Sequence, residues 1–138
     1  MSYLLDTNVL SELRKSANRI DRRVREWAER PATSELYISA ISVMEIEIGV
    51  ARLARRDATQ GQTLRTWLER ELLGAFAGRV LAVDLAVARQ AAMMHGPDPR
   101  PERDVLIAAT ALVHNLVVVT PNVSDFAPLG VELVDPWG

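Results

Sequence analysis

The 138 residues carry 16 Lys plus Arg against 18 Asp plus Glu, two His and no Cys, a formal charge of −2, and 49% of them are hydrophobic. That balance excludes a disordered chain, because nearly half the residues can be buried to offset ordering entropy. The missing cysteine excludes a disulfide scaffold, a thiolate metal site and a cysteine nucleophile. The near-neutral total hides an uneven spread: residues 14–30 are net +4, residues 52–70 net +3, and residues 105–138 hold no Lys or Arg and are net −3.

In chain order, residues 3–5 read as a short apolar strand and residues 9–15 begin a helix. Ile20, Val24 and Trp27 recur at helical spacing in a charged segment, so residues 19–30 are expected as an amphipathic helix that Pro31 ends. A strand follows at 36–39, then helices at 41–55 and 62–76, with Leu64, Trp67, Leu68, Leu72 and Phe76 apolar in the second. Residues 80–83 are strand-like, 85–94 helical, and 95–101, with three prolines and a glycine, a loop. Residues 105–124 hold no Asp, Glu, Lys or Arg, long enough for a membrane span. His114, Asn115, Pro121 and a switch from Ala/Leu to Val divide it into a buried helix at 104–113, a turn and a strand at 117–120. A last strand falls at 131–134. Strands alternating with helices predict an α/β domain spanning 1–138, its mainly parallel sheet covered on both faces. No signal peptide is legible at the N-terminus, so a cytoplasmic protein without a membrane anchor is expected.

Sites in open α/β sheets form beyond the carboxyl ends of the strands, and four acids fall there. Asp6 follows the first strand, Glu45 lies early in the helix after the second, Asp104 opens the uncharged helix, and Asp125 lies past the Val-rich strand. Each also has a purely structural reading. Asp6 can cap a helix, Ser42 and Glu45 fit a capping box, Asp104 gains from a helix dipole, and Asp125 can stabilise a turn with Asn122 and Ser124. Gathered together, four carboxylates would raise one another's pKa and call for a cation. Oxygen donors without His or Cys suit Mg2+ or Mn2+ better than Zn2+. The chemistry implied is metal-dependent hydrolysis of a nucleic-acid backbone.

At these residues the chain resembles the PIN-domain ribonucleases, specifically VapC-type toxins of toxin–antitoxin pairs. The likeness rests on Leu5-Asp6-Thr7-Asn8-Val9-Leu10, on Ile41-Ser42-Val43-Met44-Glu45-Ile46, on Arg103-Asp104-Val105-Leu106-Ile107-Ala108-Ala109, and on Val118-Val119-Thr120-Pro121-Asn122-Val123-Ser124-Asp125-Phe126. The resemblance implies a three-layer α/β/α sandwich and an endoribonuclease that uses Mg2+ or Mn2+. It makes Asp6 and Asp104 direct ligands, has Glu45 complete the set or hold a water, and has Asp125 act through water. It gives Thr7 and Asn8 an orienting role and makes Thr120 and Asn122 polar contacts of the cluster. It further implies an RNA substrate, a homodimer, and a cognate VapB-type antitoxin through which operator DNA would be bound. Pro121 departs from the pattern, standing where related sequences commonly carry Arg.

Other residues carry less. Glu47 and Glu102 are extra acids nearby, of which Glu47 reads as surface; His95 and His114 read as turn or solvent residues, and Trp27 and Trp67 as core or interface. Gly49, Gly74 and Gly78 form no phosphate-cradling motif. Two alternatives stay open. One is a non-catalytic module that binds operator DNA with its antitoxin. The other is a phosphoryl-accepting Asp6, which would need a second Asp where the chain has Asn8.

Overall fold

A computed structural model describes residues 1–97 and 100–138. Five short strands, β1 (Tyr3–Leu5), β2 (Leu36–Ser39), β3 (Val80–Leu81), β4 (Val117–Val119) and β5 (Leu133–Val134), form one sheet in the order β3-β2-β1-β4-β5. Every neighbouring pair is parallel, and Tyr3 stands opposite Leu36 on one side and Val117 on the other. Parallel strands need crossovers, and here helices supply them on both faces.

The side-chain alternation of a strand sorts the core into two halves. Leu4 and Val118 pack to one side with Val87, Val105, Ile107 and Phe126. Leu5 and Val119 point the other way, against Val9, Leu10, Ile46 and Leu68. The first half is covered by α6 (Leu85–Met94), α7 (Glu102–His114) and α8 (Val123–Phe126). The second half is covered mainly by α1 (Thr7–Leu13) and α3 (Ala40–Arg56). This is the expected three-layer α/β/α sandwich.

Helix ends differ from the sequence expectation where an acid caps earlier or later than periodicity suggests. Asp6 caps α1, so that helix starts at Thr7 rather than residue 9. Asp21 accepts the N–H groups of Arg23 and Val24, confining α2 to Arg22–Glu29. Glu12, only 8% exposed, ties the two helices together: it accepts the Asp21 N–H at 2.8 Å and pairs with Lys15 at 2.9 Å. Asp57 closes α3 with its backbone N–H and caps α4 (Ala58–Thr66) with its side chain. The helix expected over 62–76 therefore starts four residues earlier, at Ala58. It also widens into a π turn at Trp67–Leu72 before the three residues of α5 (Leu73–Ala75). In that turn the Leu73 N–H reaches back to Leu68, and Leu68 and Leu72 both face the core. In the loop expected over 95–101, residues 98 and 99 lie outside the described residues. Among the described residues, no helix is long and apolar enough to cross a membrane.

Candidate active site

The chain passes from β1 outward to β2 and β3, then crosses to β4 and β5 on the other side of β1. The strand order thus reverses between β1 and β4, the position at which open α/β sheets leave a crevice. Asp6 sits at the carboxyl end of β1, at this crevice, and its N–H bonds to the Val119 carbonyl at 3.0 Å. Its carboxylate, 5% exposed, accepts from the Thr7 N–H and from the buried Thr120 hydroxyl, both at 2.8 Å. The Thr120 hydroxyl in turn accepts the Asn122 N–H at 3.0 Å. Asn122 thus contributes its backbone to the site. The helix cap and the site are the same residue: Asp6 does both.

Glu45 approaches from α3. That helix is capped by Ser39, which accepts the Ile41 N–H, so Ser42 lies inside the helix and the capping-box reading of Ser42 and Glu45 falls. Thr7 Oγ1 stands 2.8 Å from Glu45 Oε1 and 2.9 Å from Ser42 Oγ. A carboxylate only accepts, so the Thr7 proton belongs to Glu45 and the Ser42 hydroxyl supplies the other contact. The other Glu45 oxygen lies 3.7 Å from Arg103 Nη1. Asp104, in the first turn of α7, is half-buried, and Asp125, in α8, is exposed.

Electrostatics tie the acids together. Burial pushes the Asp104 carboxyl above the ordinary aspartate range, and the charges of Asp6, Asp125 and Glu45 push it further. Asp6 is also raised, first by burial; its hydrogen bonds to Thr120 and Thr7 oppose the rise, and the Glu45 charge adds to it. A helix N-terminus favours an anion at Asp104, yet burial and three like charges outweigh it. The four acids therefore share one field, although among the described residues no three of them close tightly enough to cage an ion as they stand. All the donors are hard oxygens, which fits a small divalent cation.

Of the remaining sequence candidates, Glu102 borders the cluster, lining one cavity with Glu45 and Asp104. Asn8 is exposed and, among the described residues, makes no hydrogen bond to the acids. Glu47 and Glu102 are exposed, His114 ends α7 at the opposite end from Asp104, and His95 closes α6. Trp27 packs edge-on to Tyr3 with ring centres 5.1 Å apart, and Trp27 and Trp67 both pack against the core. Sequence reasoning gave Arg103 no role; only its place between Glu102 and Asp104 hinted at one. Away from the acids, Arg14, Lys15 and Arg19 line a cleft of about 810 Å3 with Thr63 and Trp67, and the Arg14 guanidinium lies 5.9 Å from the Trp67 ring centre.

Residues 3–127 match the family model described as the PIN domain. The chain is 37% identical to the VapC ribonuclease Y4jK of Sinorhizobium fredii, over 97% of its own length and 96% of that protein. It is 38% identical to the toxin FitB of Neisseria gonorrhoeae, covering 97% of each. A solved structure of FitAB bound to an IR36 DNA fragment superposes with a TM-score of 0.87 at 33% identity, covering 99% of this chain and 96% of that one.

Proposed function

The chain belongs to the PIN-domain family, and from that membership we propose that it is a divalent-cation-dependent endoribonuclease and the toxin of a toxin–antitoxin pair. The observation that carries the proposal is geometric: Asp6 at the carboxyl end of β1 and Glu45 from α3 are joined through Thr7, and Asp104 and Asp125 lie near enough for the four charges to act on one another. A cap or a turn needs one acid; four acids sharing one field need a counter-charge. Relatives named as a ribonuclease and as a toxin support the same reading.

In this reading Asp6, Asp104 and Glu45 hold the cation, Mg2+ or Mn2+. When bound, it would make water more acidic and offset charge developing on the phosphodiester. The chain's own residues prepare the place. Thr120 and the Thr7 N–H fix both oxygens of Asp6, so that carboxylate cannot turn away. Thr7 aims Glu45 through one oxygen. Asp125, exposed beside the cluster, orients solvent. The Pro121 ring occupies a loop position without N–H or charge, so substrate phosphate must be met by other groups.

The partners follow from the same reading: an antitoxin that covers the acids, a second copy of the chain, and operator DNA bound through the antitoxin. The FitAB complex with DNA supports the partner and the DNA. A cytoplasmic location fits an RNA substrate. The competing reading, a non-catalytic DNA-binding module, needs no shared acidic field. Incubating an RNA with added Mg2+ and either wild type or Asp6→Ala separates them. We expect cleavage by the wild type alone; equal cleavage by both, or by neither, overturns the assignment.

A further inference from the structure

Among the described residues, Glu45 is the one proposed ligand that also faces a cation of the chain itself. Its Oε1 is held by Thr7, while its Oε2 lies 3.7 Å from Arg103 Nη1. Arg103 is no buried strut: its side chain is 49% exposed, and that of Glu45 is 26% exposed. Both residues line a cavity of about 560 Å3 with Met44, Glu102, Asp104 and Leu106. Among the described residues, Asp6 and Asp104 pair with no Lys or Arg.

We propose that Arg103 is a built-in counter-ion that holds Glu45 in the cation-free protein and gives it up when a divalent cation enters. The inference rests on the proposed cation site and adds a positioning residue to it. Two observations carry it. The pair reaches only 3.7 Å on one oxygen, too long for a hydrogen bond, so little is lost when it opens. And Thr7 holds Glu45 by its other oxygen, which leaves Oε2 as the oxygen that changes partners. Arg103 thereby limits repulsion among the acids before loading, and competes with the cation for one of its ligands.

Competition of this kind is measurable without any RNA. Mn2+ affinity is read by titration calorimetry on the wild type, Arg103→Gln, Glu45→Gln and the double variant. Arg103→Gln should tighten Mn2+ binding about two- to fivefold, the worth of a solvent-exposed ion pair. In the Glu45→Gln background the same change should have no effect, because the carboxylate it competed for is gone. A gain that persists without Glu45 would be a general charge effect and would overturn the proposal, as would unchanged or weaker binding in the single variant. Arg103→Lys should restore wild-type affinity in part. Failure of the wild type to bind Mn2+ at all would instead sink the cation site. Binding by the wild type with an indifferent Arg103→Gln would sink only the counter-ion.

Discussion

At the scale of single residues, the site is built from groups that would each be unremarkable alone. Asp6 is a helix cap that also lies at a strand-order reversal, and its dual position was legible because an acid directly follows an apolar strand. Glu45 was less legible: the sequence Ser42 to Glu45 imitates a capping box, and only the Ser39 cap frees Glu45 for the site. Arg103 was barely legible: its place between Glu102 and Asp104 was the one hint, and its contact crosses from α7 to α3. The raised Asp104 makes a sign-definite prediction. An acid whose folded pKa lies above its ordinary value lends its full stability below that ordinary range. That stability is lost as pH rises toward the folded value. At pH 7.5, well above the ordinary aspartate range, and in EDTA, Asp104 therefore costs stability, and Asp104→Asn should melt above the wild type. Added Mn2+ should raise the wild-type melting temperature more than that of the variant. A variant that melts at or below the wild type in EDTA, with an equal response to Mn2+, would contradict the shared field.

At the scale of elements, periodicity located the helices and left their ends to side-chain caps. The strands and α6 fell near their expected places because apolar runs between breakers are strong signals. The start of α4 was missed because Asp57 stops one helix and starts the next with no Pro or Gly between them. The close pairing of α3 with α4 depends on Gly61, a position periodicity does not single out. A Cβ there would lie 2.6 Å from the Ala54 backbone and 2.7 Å from its Cβ. Helix propensity alone favours Gly61→Ala by about 1 kcal/mol. Backbone overlap typically costs about 1–3 kcal/mol, so the net change should be a loss of stability, read as a lower urea midpoint. A higher midpoint would show that α3 and α4 separate easily.

At the scale of the whole molecule, the formal charge of −2 becomes about zero once one divalent cation is bound. The basic cleft of Arg14, Lys15 and Arg19 begins where α1 ends. The seven residues of α1 place it roughly 10 Å from Asp6. The Arg22–Glu26 and Arg65–Glu69 pairs lie inside the two basic segments, whose net charges of +4 and +3 already include those acids. If an RNA strand tracks from the acids into this cleft, Arg14→Ala should weaken RNA binding. It should also flatten the dependence of log affinity on log salt by about 0.7, the share of one phosphate contact on a single strand. An unchanged slope would place the strand elsewhere. The central claim, that these four acids form a cation-dependent nuclease site, is tested most directly by cutting end-labelled RNA with the purified chain. Cleavage should require Mg2+, stop in EDTA, and fall by about 100-fold or more in Asp104→Asn, roughly 3 kcal/mol of barrier. Cleavage that survives both EDTA and Asp104→Asn would contradict it.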